Sequence, residues 1–158
     1  MADIDDVIKL LDRGNVDGAL ALAEDVKDRP KMLEVLNDYA ALLAKESPDY
    51  EGIDKILNKV VELDPKHADA YYNLGCLYTE IDVVRDDPSN VEKAIEYYKK
   101  AVEANPKHVK AHYNLGLLYA YTNRLDEARE EYVQLIRLDS ANLDKYDHLE
   151  GLIKSREA

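Results

Sequence analysis

Pro65-Lys66-His67 and Tyr72-Asn73-Leu74-Gly75 return as Pro106-Lys107-His108 and Tyr113-Asn114-Leu115-Gly116, each pair 41 residues apart. Tyr78 answers to Tyr119 at the same interval. Beyond that the interval tightens: Ala94 answers to Ala128 and Tyr98 to Tyr132, 34 residues apart. A copy that starts at 41 and finishes at 34 has lost seven residues between Tyr78 and Ala94. Their place is Ile81 to Asn90, where Asp86-Asp87-Pro88-Ser89-Asn90 reads as loop. The underlying unit is therefore 34 residues with one insertion, and a period of that length is the signature of a stacked array.

A 34-residue helix-turn-helix repeat resembles the tetratricopeptide (TPR) family. In the copy Val109 to Asn142, His112 stands where the family usually has Trp. Leu115, Gly116 and Tyr119 follow on the first helix, then Ala128 and Tyr132 on the second. Leu135 replaces the usual Ala and Ser140 the usual Pro. In the preceding copy Tyr71, Leu74, Gly75, Tyr78, Ala94, Tyr98, Ala101 and Pro106 fill every one of these positions. The resemblance implies an all-α fold: an α-solenoid of antiparallel helix pairs in a right-handed superhelix, closed by a C-terminal capping helix. Gly75 and Gly116 sit mid-helix, where Gly costs about 1 kcal/mol relative to Ala. Close approach of paired backbones would explain both, with Gly75 opposite Ala94 and Gly116 opposite Ala128.

Working outward, Ile4 to Asp12 carries Ile4, Val7, Ile8, Leu10 and Leu11 on one helix face and stops at Gly14. Asn15 caps a second helix from Val16 to about Lys27. This pair reads as a shortened unit over residues 1–30. A degenerate unit over 31–67 follows, with Pro30 in the first turn of a helix that Ser47-Pro48 breaks. Its second helix, about Asp49 to Leu63, places Ile53, Leu57 and Val60 at the family's small and aromatic positions. The two clean units are 68–108, with the insertion near 81–90, and 109–142. The insertion is expected to lengthen its first helix through Ile81, Val83 and Val84, and Ser89-Asn90-Val91-Glu92 to form a capping box for the next. Glu96 and Lys100 are spaced for an i,i+4 ion pair. Finally Leu143, Tyr146, Leu149 and Ile153 make an apolar stripe on a closing helix over 143–158. Nine helices without strands form one domain, residues 1–158.

The formal net charge is −12 in 158 residues, with no basic stripe to offset it. That argues against nucleic acid and anionic membrane as partners, and favours basic protein partners through electrostatic steering. Cys76 is the only cysteine, so a disulfide framework and a thiolate zinc cluster are excluded. The acidic start Met1-Ala2-Asp3-Ile4-Asp5-Asp6 is unlike a basic signal peptide, and the apolar runs are short, so a cytoplasmic protein is expected. Phe and Trp are absent while Tyr numbers 12, which suits a thin core whose aromatics must keep a hydroxyl hydrogen-bonded.

Catalysis needs convergent groups. His108 and His112 lie at i,i+4, a spacing that can bind metal. His108 falls in the turn, however, and His112 takes the family's buried aromatic place, so both read as structural. His67 shares the context of His108, His148 stands alone, and no phosphate loop or nucleophile motif is present. The expectation is no enzyme, no cofactor and no metal.

What remains is a surface. In TPR arrays the first helices of successive units line a concave groove for a peptide or a partner's helix. With Tyr71, Leu74 and Tyr78 turned to the core, the resemblance places Asp69, Tyr72, Asn73, Cys76 and Thr79 in the groove. Lys110, Tyr113, Asn114, Leu117 and Tyr121 take the same places in the next unit, and Val35, Asp38, Leu42 and Lys45 in the degenerate one. Tyr72, Tyr113, Leu117 and Tyr121 form an apolar-aromatic strip, and Asn73 and Asn114 make two rungs of an asparagine ladder, since Tyr39 takes the third place. TPR co-chaperones hold acidic tails in a carboxylate clamp. Asn73 and Lys110 fit it, but Asp38, Leu42 and Asn114 occupy the other places, so clamp binding is not expected. The sequence therefore reads as an adaptor or scaffold binding a peptide or helix, with homo-oligomerisation through the same strip or the N-terminal helix as the alternative.

Overall fold

The chain is a computed structural model that describes residues 2–47, 49–85 and 87–158, with the side chains of 82–85 outside the description. Among the described residues there are nine α-helices and no strand: α1 Ile4–Asp12, α2 Val16–Ala23, α3 Arg29–Glu46, α4 Tyr50–Leu63, α5 Ala68–Arg85, α6 Pro88–Ala104, α7 Val109–Tyr121, α8 Leu125–Leu138 and α9 Asp147–Glu157. A 3₁₀ segment, Ser140–Tyr146, joins the last two. Consecutive helices pair as α1 with α2, α3 with α4, α5 with α6 and α7 with α8. The pairs stack through α2 on α4, α3 and α4 on α5, and α6 on α7, while α9 covers α7 and α8. The result is an α-solenoid with a closing helix.

Helix starts follow short polar caps. Asp28 and Asp49 accept from the N–H groups of Lys31 and Gly52, each satisfying a donor that the first turn leaves over. The repeated Pro-Lys-His turn works in the same way. Asp64 and Asn105 accept from Lys66 and Lys107, then His67 Nδ1 and His108 Nδ1 accept from the N–H groups of Ala70 and Ala111. Gly14 ends α1 with φ +77°, a conformation without penalty only for glycine. The expected Glu96–Lys100 pair is formed at 3.5 Å, with both side chains exposed.

Several expectations change. The helix after the insertion opens on Asp87 instead of a box at Ser89. Asp87 accepts from both the N–H and the hydroxyl of Ser89, because Pro88 needs no donor partner at the first helical position and an anion suits the helix N-terminus. Pro88–Asn90 are thus helical, not loop. The preceding helix does lengthen, reaching Arg85. Asp86, expected in a loop, Pro48, expected to break a helix, Met1 and the side chains of Val83 and Val84 lie outside the described residues. α2 stops at Ala23 instead of Lys27, and Val26 stays buried by pairing its backbone with Ala2.

Neither Gly75 nor Gly116 meets the alanine expected of it most closely. A Cβ on Gly75 would lie 2.5 Å from the ring of Tyr98, and one on Gly116 would lie 2.9 Å from Leu149 of α9 and 3.3 Å from Glu131 Cβ. Both missing side chains are used, but for an aromatic ring and for the closing helix. Gly116→Leu is expected to destabilise by about 1–3 kcal/mol by lifting α9 off α7. A melting curve unchanged by the substitution would rule out that contact. On the closing segment Tyr146, Leu149 and Ile153 are buried as expected, whereas Leu143 is 41% exposed. The reason is local: Asn142 leaves helical φ/ψ and the 3₁₀ turn shifts Leu143 off the stripe.

Candidate functional site: the face of the first helices

The core forms two clusters, one from Val7 to Ile81 and one from Ala94 to Ile153. Tyr98, in the second of them, is 1% exposed. Its hydroxyl accepts from Asn114 Nδ2 at 3.3 Å and lies within reach of Thr79 Oγ1 at 3.3 Å and Cys76 Sγ at 3.5 Å. Thr79 donates its own proton to the Gly75 carbonyl, so the single phenolic proton of Tyr98 is left for either Thr79 Oγ1 or Cys76 Sγ. Asn114 also donates to the Tyr72 hydroxyl at 3.5 Å, and the Tyr72 ring sits 5.9 Å from Tyr98 and 5.0 Å from His108. Burial pushes the phenols of Tyr72 and Tyr98 well above their ordinary range, so both remain neutral donors. Four of the residues assigned to the groove, Tyr72, Cys76, Thr79 and Asn114, are thus brought together round one buried tyrosine.

The others are placed separately. Tyr113 is half-buried with its ring 5.5 Å from Tyr146, which is itself held by Asp139. Its bonds to Tyr146 and Asn142 keep the Asp139 carboxyl below the usual range. Leu117 is half-buried, and Tyr121 is 50% exposed, its hydroxyl 3.2 Å from His148 Nε2 and its ring 5.9 Å from the Arg156 guanidinium. Lys110 is exposed. Asp69 is exposed too, 2.9 Å from His108 Nε2, and because His108 Nδ1 is an acceptor, a neutral ring carries its proton on Nε2 and donates it to Asp69. Asn73 donates to Asn37 Oδ1 at 2.9 Å. The two asparagines therefore bond to Asn37 and to tyrosines rather than to each other, and each uses amide hydrogens inside the chain.

His112 is buried, with Nδ1 2.6 Å from Glu131 Oε2 and Nε2 2.7 Å from the Pro106 carbonyl. Both nitrogens are occupied, which leaves no lone pair for a metal. Among the described residues no cluster of His, Cys, Asp and Glu is suited to hold one.

A feature absent from the sequence reading lies between α3 and α5. A cavity of about 210 Å³ is walled by Ala40, Ala41 and Ala44 of α3, Ile53 and Leu57 of α4 and Leu77 of α5. Asn73 and Cys76 also border it, so it opens on the face assigned to the groove. Its cause is legible in the repeat. Ala40 and Ala44 stand where the clean units have Leu74 and Tyr78, or Leu115 and Tyr119, so an isobutyl group and a phenol are missing from the layer. The signal was there as two alanines at large-residue positions.

Paired helices stacked in register and sealed by a final helix define an α-helical repeat solenoid. Tetratricopeptide repeat sequence models match residues 88–142 and 56–82, together just over half of the chain. The chain belongs to the tetratricopeptide repeat family. Among solved structures it is similar to the first TPR of Spaghetti (RPAP3) bound to the HSP90 peptide SRMEEVD, at 18% identity over 80% of this chain and 96% of that one, with TM-score 0.67. It is also similar to MamA 41-end from Desulfovibrio magneticus RS-1, at 25% identity over 97% and 82% of the two chains, TM-score 0.64. A further MamA crystal structure aligns at 26% identity over 97% and 83%, TM-score 0.61. At 18% identity the RPAP3 likeness is one of fold alone. No curated protein matches the sequence. Among the described residues no helix is long and apolar enough to cross a membrane.

Proposed function

We propose that the chain is a non-catalytic adaptor or scaffold that holds a peptide or helix of another protein on the face built by α3, α5 and α7. The observation that carries this reading is the aromatic run on α5 and α7: Tyr72, Tyr113, Leu117 and Tyr121 all keep surface after internal packing, and Tyr121 is half exposed. Aromatic side chains held rigid by their own chain and still open on one side are what binding hot spots are made of. The groups that could do chemistry are otherwise engaged, since His112 bonds through both nitrogens and His67 and His108 cap helices. The net charge of −12 favours a basic partner. An acidic tail like the SRMEEVD peptide of the RPAP3 complex would meet Asp38 and Leu42, where the family's clamp has basic and amide groups.

Affinity capture from the native host, with bound proteins identified by mass spectrometry, tests this reading. Tyr121→Ala is expected to reduce capture about tenfold with helicity unchanged; Tyr113→Ala adds to the loss but also disturbs Tyr146. Full capture by the Tyr113→Ala/Tyr121→Ala protein would overturn the groove assignment. Light scattering on the same samples reads out the alternative, because a dimer whose population rises with concentration would assign the strip to self-assembly.

A further inference from the structure

The geometry points to the cavity between α3 and α5 as a side-chain socket: it takes one aromatic or large aliphatic residue of a basic peptide lying along the groove. This rests on the groove reading and adds to it what the partner must present. Its volume of about 210 Å³ exceeds the roughly 150 Å³ of an apolar cavity that admits a benzene ring, so a phenyl or isobutyl group fits. Its walls are methyl and methylene groups, which select against polar side chains. Its opening is flanked by Lys45 and Glu80, both exposed, with the Asn73 amide alongside for a peptide backbone.

The occupant's charge follows from the same faces. Asp38, Asp69 and Glu80 outnumber Lys45 and Lys110 on that face, and the whole chain is at −12, so lysine or arginine beside the anchor is complementary and an acidic flank is not. The void has an identifiable origin, since restoring Leu at position 40 or Tyr at 44 would reproduce the filled layer of the neighbouring units. Ala40 and Ala44 are therefore the specificity-determining residues.

Cys76, the only cysteine, borders the socket and reports on it. The probes are host peptides Lys-Ser-X-Ser-Lys with X as Phe or Ala, and the same Phe peptide with Glu for Lys. They are titrated into the full chain, following amide NMR signals and the rate of Cys76 alkylation by iodoacetamide. The Phe peptide is expected to move the signals of Ala41, Ala44 and Cys76, to slow alkylation, and to bind about tenfold or more tighter than the Ala peptide. Ala44→Leu should raise the melting temperature and abolish that preference. If it misfolds, Ala40→Val is the second filling variant, and the alkylation test on the unaltered chain needs neither. Equal binding of the Phe and Ala peptides, or a Phe preference that survives filling, overturns the socket while signals at Tyr113 and Tyr121 still support the groove. Equal binding of the Glu-flanked peptide overturns the basic partner. No response to any peptide overturns the socket and leaves the groove to its own capture experiment.

Discussion

Tyr98→Ala is expected to lower the unfolding free energy by about 3–5 kcal/mol and to split a single unfolding transition into two. Tyr98 belongs to the second core cluster and packs on α5, whose Leu74, Leu77 and Ile81 belong to the first. It belongs to α6, its ring lies on Gly75 of α5, and its hydroxyl receives the amide of Asn114 on α7. In a stacked array the total stability is a sum of terms within pairs and terms between them. Tyr98 contributes to both kinds, its ring within the α5–α6 pair and its hydroxyl between that pair and α7; because the division between the two core clusters falls between α5 and α6, its loss uncouples the halves. Tyr98→Phe keeps the ring and removes only the hydroxyl that Asn114 and Thr79 share, for a cost of about 1 kcal/mol. Gly75→Ala supplies the sharper test. With Tyr98 present the new methyl would lie 2.5 Å from a ring that has no room to withdraw, and the cost is about 1–3 kcal/mol. With Tyr98→Ala the obstruction is gone, since the three nearest atoms all belong to that ring, and alanine's better helix propensity should stabilise by up to about 1 kcal/mol. Urea unfolding of the four proteins reads the change of sign, and additive effects would show that Gly75 and Tyr98 do not form this contact.

The repeat made most of the fold legible, because a periodic pattern averages many weak signals. Helix pairs, the turn role of His108, the burial of His112 and the closing stripe of Tyr146, Leu149 and Ile153 all follow from position within the unit. What escaped was decided by a single residue's local competition. Asp87 displaced Ser89 as cap because Pro88 needs no N–H partner, and Leu143 left the stripe because Asn142 broke the helical geometry before it. The site was less legible than the fold. Tyr72 and Asn114 were assigned by face, and face alone does not reveal that a tyrosine from the second helix reaches round Gly75 to bond there. The cavity was hidden for a different reason. Pattern reading registers which residues are apolar, whereas a void comes from which apolar residues are too small, and Ala40 and Ala44 count as matches until their volumes are compared with Leu74 and Tyr78.

Raising the pH from about 6 to about 9 is expected to destabilise the array through His112, and His112→Phe is expected to abolish that dependence. His112 is buried and Glu131 partly so, their side chains 8% and 15% exposed. Its two nitrogens face a carboxylate and a carbonyl, neither of which can donate, so only the imidazolium satisfies both. Burial by itself lowers the pKa of the ring, but the hydrogen bonds to Glu131 and to the Pro106 carbonyl, with the charge of Glu131, outweigh it and leave the value above the ordinary 6.5. A folded-state value above the unfolded one means that folding takes up a proton between them. The contribution is therefore complete below about pH 6.5 and is lost as the pH climbs through the raised value. At about pH 6, His112→Phe should cost about 3 kcal/mol, because it strands the Glu131 carboxylate and the Pro106 carbonyl without donors. Adding Glu131→Leu should recover most of that, since an apolar pair of similar bulk replaces the ionic one. His67, His108 and His148 are common to every variant, so the difference between wild type and His112→Phe isolates this ring. Urea unfolding at half-unit pH steps measures it, and parallel curves for the two proteins would mean that His112 folds as the neutral form. The consequence reaches the groove, because the helix anchored at its base by His112 is the one that presents Lys110, Tyr113, Leu117 and Tyr121. Alkaline pH should then weaken partner capture in step with stability, whereas a salt-sensitive charge contact with the partner would weaken capture and leave stability unchanged.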